Sequence, residues 1–139
     1  MCGIIGIVGK ADVASFLFNG LKRLEYRGYD SAGVCTFSND CLVTTKCTGK
    51  VEALENQIKS EEHTGNMGIA HTRWATHGAP NSENAHPHND ASGRISLIHN
   101  GIIENHYAIK EFLIKEGVRF ESDTDTEVLA KFIGYFYNE

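Results

Sequence analysis

No stretch of this sequence approaches the roughly 18 consecutive apolar residues that a membrane helix needs. No basic segment followed by an apolar core opens it either, so neither a span nor a secretory leader is read from it. Basic residues are scarce: 13 Lys and Arg against 18 Asp and Glu leave a net charge of −5, the wrong sign for tracking a phosphate backbone. No CxxC pair occurs among the four cysteines, which removes the zinc-knuckle and thioredoxin readings. Repeats and low-complexity tracts are absent too. These absences leave a globular chain of 139 residues, 41% hydrophobic, read as one domain and expected in the cytoplasm without nucleic-acid or membrane partners.

What is present alternates between strand and helix patterns. The apolar run at 3–8 reads as a buried strand, and 12–25 as a helix capped by Asp12, with Val13, Phe16, Leu17, Leu21 and Leu24 on one face. Runs at 32–37 and 42–48 read as paired strands around the turn Ser38-Asn39-Asp40. A polar helix at 51–60, a strand at 67–71, a long loop over 72–93, a strand at 95–99 and a helix at 104–116 follow. The last helix opens on a capping box, Thr124 with Glu127, and carries Val128, Leu129, Phe132, Ile133 and Phe136 as its expected buried stripe. Without regular βαβ alternation, the fold class is α+β with largely antiparallel sheets. Cys35 and Cys47 fall in strand-like runs and read as small buried hydrophobes.

Cys2 stands where removal of Met1 would leave its thiol a few bonds from a free α-amine. A thiol near pKa 8.5 and an α-amine near 8 are matched for proton exchange, so one residue can act as nucleophile and base. Gly3 would then let substrate approach the backbone. Position alone is a weak signal, because most cysteines at position 2 have no catalytic role.

Longer motifs strengthen it. Met-Cys-Gly-Ile-Ile-Gly-Ile-Val at 1–8, Leu-Glu-Tyr-Arg-Gly-Tyr-Asp-Ser-Ala-Gly at 24–33 and Ala-His-Thr-Arg-Trp-Ala-Thr-His-Gly at 70–78 come first. Asn-Ala-His-Pro-His at 84–88, His-Asn-Gly-Ile-Ile-Glu-Asn at 99–105 and Ser-Asp-Thr-Asp-Thr-Glu-Val at 122–128 follow in order. Together these resemble the class II glutamine amidotransferase domains, in particular those of the glutamine–fructose-6-phosphate aminotransferase family, over nearly the whole chain.

The resemblance implies the four-layer αββα sandwich of N-terminal nucleophile hydrolases, here incomplete at its C-terminal side. It implies glutamine hydrolysis by Cys2 through a thioester, with Asn100 and Gly101 as oxyanion donors and no cofactor or metal. Arg73 is expected to hold glutamine's α-carboxylate, Trp74, Thr76 and His77 to line the pocket, and Asp125 to meet the α-ammonium, with Asp123 as its competitor. Arg27 is expected to brace the nucleophile's strand. Residues 1–139 would form the N-terminal part of a glutaminase domain. Its partners would be L-glutamine and sugar-phosphate isomerase domains, within a homodimer that supplies ammonia to fructose 6-phosphate.

Each site residue also has a plainer reading. Asn100-Gly101 after an apolar run is a hairpin signal of the type I′ kind. Arg73 alone is a solvated loop arginine and Trp74 a core aromatic, while Asp125 suits the first turn of a helix whatever its function. His71, His77, His86, His88 and His99 offer rival chemistries, a zinc site or a Cys–His dyad, although Pro87 gives its two flanking histidines no predictable common direction. A stand-alone glutaminase for another acceptor and a non-catalytic fragment are the remaining alternatives. Because the sequence stops soon after an amphipathic helix, these residues alone are expected to be poorly folded and nearly inactive.

Overall fold

A computed structural model describes residues 2–9, 13–58, 63–74 and 80–137. Four strands form one antiparallel sheet: β1 (Gly3–Val8), β2 (Ser31–Ser38), β3 (Cys41–Thr48) and β4 (Met67–Arg73), in the order β1-β4-β2-β3. Helices α1 (Val13–Leu24) and α2 (Val51–Ile58) cover one face. A two-residue turn joins β2 to β3, with Asn39 and Asp40 at φ 50° and 61°. Positive φ at both central residues matches the right-handed strand twist, and Asn and Asp tolerate it best among residues with a Cβ.

Side-chain alternation sorts the chemistry. Ala32 and Val34 of β2, Ala70 of β4 and Cys47 of β3 point to the helices and pack with Leu17, Phe18, Leu21, Val51 and Leu54. In register with them, Gly33 opposes His71, and Ser31 opposes Arg73, so those two basic side chains project from the other face. That second face is covered by residues 84–90. A Cβ on Gly33 would lie 2.0 Å from the His86 carbonyl oxygen, so the two backbones meet closely there. Beyond them lie the short hairpin β5 (His88–Asn89) with β6 (Ser96–Leu97), and helices α3 (His106–Lys115) and α4 (Asp125–Tyr137).

Several expectations need correcting. Strand β1 is an edge strand, not a buried one: Gly3, Ile5 and Ile7 face α1, while Ile4 and Val8 are exposed. On α1 the buried positions are Val13, Ala14, Leu17, Phe18 and Leu21, and Phe16 is exposed. The loop expected over 72–93 is shorter, since Thr72 and Arg73 extend β4 and His88–Asn89 forms β5. Strand β6 covers less than 95–99. Asn100-Gly101 is not a type I′ hairpin, because neither residue has positive φ and no strand follows among the described residues. The hairpin lies earlier, around the Asp90 carboxylate, which accepts the Arg94 and Ile95 amides at 2.8 Å.

The final helix also packs differently from its apolar stripe. Buried on α4 are Thr126, Glu127, Val128, Ala130, Lys131 and Gly134, while Ile133 and Phe136 are exposed. A Cβ on Gly134 would sit 2.5 Å from the Asp90 Cβ, so that glycine marks the contact face. The capping box is half formed. Thr124 Oγ1 accepts the Glu127 amide at 3.3 Å, but the Glu127 carboxylate turns to the Glu121 and Ser122 amides and to Lys131. The Thr124 amide donates to Ser122 Oγ instead. Cys35 and Cys47 are buried as expected. Asp12, the expected cap of α1, and residues 59–60, expected to end the second helix, lie outside the described residues, as do Met1, Thr76 and His77.

Candidate active site

The site is built where the end of β4 meets the residue before β1. Gly3 pairs with Thr72 across the sheet, and its amide donates to Thr72 Oγ1 at 3.2 Å. That pairing sets Cys2 beside Trp74. The Trp74 amide donates to Cys2 Sγ at 3.2 Å, and the thiol points back at the Trp74 carbonyl at 3.6 Å. These two contacts fix the direction in which the Cys2 side chain points. Gly3 is buried, and a Cβ there would meet Leu24 at 2.7 Å. Its missing side chain therefore serves strand-to-helix packing and not, as expected, substrate approach.

The Arg73–Trp74 peptide is held from behind. A Cβ on Gly28 would come within 2.6 Å of the Arg73 carbonyl carbon, and the Asp30 amide donates to the Arg73 oxygen at 3.1 Å. Arg73 itself is 5% exposed, a strand-end residue and not the solvated loop arginine of the plainer reading. Burial lowers its pKa, and negative charge at Cys2 and Asp30 works against that. Trp74 is 44% exposed and meets Tyr29 edge-on at 5.5 Å, which makes it a wall and not a core aromatic.

Asn100 reaches Cys2 from the other side. Its Nδ2 donates to the Cys2 carbonyl oxygen at 3.2 Å, and its Oδ1 accepts from His71 Nε2 at 2.9 Å. Gly101 follows, with an amide that donates to none of the described residues. Asp125, in the first turn of α4, accepts the Ile103 amide at 2.8 Å. Asp123 exchanges hydrogen bonds with Asn84 and is more exposed. Cys2, Arg27, Arg73, Trp74, Asn100, Gly101, Asp123 and Asp125 all line one cavity of about 550 Å³, a volume suited to a small ligand. Arg27 sits on its wall but does not brace β1: its Nε donates to Tyr26 Oη at 3.0 Å.

The histidines form a buried group. His71 stacks on His86 at 4.5 Å, and His88 meets His86 edge-on at 4.8 Å, so His86 and His88 do share a direction across the cis peptide at Pro87. His88 Nε2 is bonded to Thr124 Oγ1 at 2.9 Å. Burial pushes His71 down to about 4 and His88 to about 3, so both are neutral near pH 7. Among the described residues no histidine is bonded to the Cys2 thiol, which removes the support for a Cys–His dyad there, and no group of side chains has metal-ligand geometry.

Sequence reasoning named His71 only as a candidate for a zinc site or a dyad and missed its bond to Asn100. Its signal was available: strand alternation through 70–73 puts His71 on the same face as Arg73.

The family described as a glutamine amidotransferase domain matches residues 55–136. This chain belongs to that family. Glutamine–fructose-6-phosphate aminotransferases are its similar curated relatives: 52% identical over 137 residues in Clostridium tetani, covering 99% of this chain. The Caulobacter vibrioides protein is 57% identical over 133 residues, covering 96% of this chain. In each case the chain spans 22% of the relative's length. Among solved structures, the glutamine phosphoribosylpyrophosphate amidotransferase of B. subtilis matches with TM-score 0.76 at 28% identity, covering 96% of this chain and 29% of that one. A second, the allosteric regulatory enzyme of purine biosynthesis, matches with TM-score 0.78 at 31% identity, covering 94% of this chain and 28% of that one. The glutamine amidotransferase domain therefore has the α+β fold of these two solved structures.

Proposed function

We propose that this domain hydrolyses L-glutamine at Cys2 and supplies the released ammonia within a glutamine–fructose-6-phosphate aminotransferase. One observation carries the reading: the Cys2 thiol, the Asn100 amide, Arg73 and Asp125 converge on one cavity. With Met1 removed, the Cys2 amine takes the thiol proton as sulfur attacks the side-chain amide carbon. The negative oxygen that forms is met by Asn100 Nδ2, which leaves the Cys2 carbonyl, and by the Gly101 amide. Collapse breaks the C–N bond, the amine returns its proton to the departing ammonia, and a γ-glutamyl thioester remains. Water cleaves it to glutamate and free thiol. No metal or organic cofactor enters these steps.

Arg73 pairs with the α-carboxylate and Asp125 with the α-ammonium, and Trp74 walls the pocket; Thr76 and His77 are assigned to substrate binding on the family resemblance alone. In the larger reading residues 1–139 are the N-terminal part of a four-layer αββα domain. That domain works beside sugar-phosphate isomerase domains in a cytoplasmic homodimer.

The test is glutamate release from glutamine, wild type against Cys2→Ser, with Cys41→Ser as control. Intact mass should begin at Cys2, and a diazoketone analogue of glutamine should add to that residue alone. Full activity in Cys2→Ser, or in protein that retains Met1, would falsify the mechanism.

A further inference from the structure

We infer that His71 is a positioning residue that fixes which way round the Asn100 amide sits, and so keeps Nδ2, not Oδ1, facing the nucleophile. The inference rests on the glutaminase reading for its kinetic consequence, though its structural half does not.

An asparagine amide can turn half a revolution about its last bond and exchange its donor for its acceptor with little change of shape. Only its neighbours choose. Asn100 has two: the Cys2 carbonyl oxygen, which can only accept, and His71 Nε2. Facing a carbonyl oxygen, Oδ1 would be repelled, but that preference ends once substrate arrives and Nδ2 must leave for a developing oxyanion. His71 supplies a preference that persists. It is 1% exposed and lies flat against His86, so its ring is held in place. Its Nδ1 is buried and has no hydrogen-bond partner among the described residues.

A neutral imidazole carries one proton. On Nδ1 that proton would be a buried donor with nothing to bond, while the Nε2 lone pair would face Oδ1. On Nε2 it meets Oδ1 at 2.9 Å. The Nε2–H tautomer is therefore selected by the surroundings of both nitrogens. A donor at Nε2 in turn requires Oδ1 on its own side, which leaves Nδ2 for the reaction. Register places the ring: His71 opposes Ile4 on β1 and Gly33 on β2, on the face of the sheet shared with Arg73.

The experiment compares His71→Phe, which keeps a ring against His86 but has no donor, with His71→Gln, which restores an N–H. It uses single and double variants with Asn100→Ala. Removing one oxyanion donor costs about 10²–10³ in kcat, so His71→Phe should fall by roughly 10- to 100-fold with glutamine KM nearly unchanged. His71→Gln should recover part of that loss. Combined with Asn100→Ala, His71→Phe should add no further loss, because both act through one amide. Losses that multiply would overturn the proposal, as would a change confined to KM.

A second readout needs no activity. Nitrogen-15 spectra of the histidine-labelled chain at pH 7 should show His71 as the Nε2–H tautomer, and an Nδ1–H form would overturn the inference. If wild type releases no glutamate, the glutaminase reading fails alone and the tautomer decides this one.

Discussion

At the scale of single residues, the site separates charges that the sequence leaves ambiguous. Asp123 and Asp125 both line the cavity, but Asp125 is fixed by the Ile103 amide and Asp123 by Asn84. Alanine at 125 would remove charge and acceptor together. Asp125→Asn keeps an oxygen for Ile103 and removes only the charge. We expect it to raise the glutamine KM by roughly tenfold or more, since an ion pair inside a site is worth at least the 1.4 kcal/mol that a factor of ten represents. Thermal stability should barely move. Steady-state kinetics on Asp125→Asn and Asp123→Asn decide it, and the larger KM effect at Asp123 would transfer the role.

Glu127 makes the opposite kind of contribution. It is 3% exposed, pairs with Lys131 at 2.7 Å and accepts the Glu121 and Ser122 amides. These hydrogen bonds hold its pKa at about 2 against the burial that would raise it. Lys131 also donates to the Arg119 carbonyl. Glu127→Ala leaves a buried cation without its counter-charge, which typically costs about 3–5 kcal/mol. Chemical denaturation should show that loss, and a change below about 1 kcal/mol would mean water reaches Lys131 freely.

At the scale of elements, what could be read from sequence was what neighbours in sequence decide. The β2–β3 hairpin and the existence of α1 follow from local alternation, from Asn39-Asp40 and from helical spacing, and they were legible. Arg73 was not, because its burial comes from pairing β4 between β1 and β2, partners far away in the chain. The stripe on α4 misled for the same reason. Asp90 against Gly134 and Glu127 with Lys131 choose the buried face, and neither contact has a signature in helical spacing. The site residues came mainly from motif blocks. That His71 partners Asn100 was hidden, because a histidine inside an apolar run looks like any buried polar group.

Gly28 belongs to this scale as well. Its φ of −177° is one that any residue adopts, so conformation does not require glycine there. Contact does: a methyl would press on the Arg73–Trp74 peptide, which β4 pairing holds. Gly28→Ala should cost about 1–3 kcal/mol from overpacking. It should also lower kcat, since the displaced Trp74 amide is the one that faces Cys2 sulfur. A variant with full activity and unchanged melting would show that the turn yields and the strand does not.

For the whole molecule, three buried neutral histidines make stability depend on pH. Burial lowers His71 to about 4, His88 to about 3 and His86 to about 2. Unfolded histidines titrate near 6.5. Below that value the unfolded chain takes up protons that the folded chain refuses, so stability is complete above about pH 6.5 and declines as pH falls toward the folded values. Glu127 shifts in the same direction but acts only below its ordinary value of 4.5, so the first part of the decline belongs to the histidines. Urea midpoints should fall between pH 6.5 and 4.5. His86→Phe, which keeps the ring and removes the titration, should flatten that slope, and an unchanged slope would assign it elsewhere.

The latch between Cys2 and Trp74 has an optical consequence. Trp74 is the only tryptophan in the 139 residues, and its backbone amide rests on the sulfur of Cys2. Its indole is neither sealed in the core nor free in water, and one edge contact with Tyr29 fixes its attitude. All indole emission from this chain therefore originates at the mouth of the cavity. Excitation at wavelengths that select indole reads that mouth without any label. Alkylation of the thiol, arrival of a ligand or displacement of Tyr29 will each register as a change in intensity or colour, and stopped-flow emission will time them one from another.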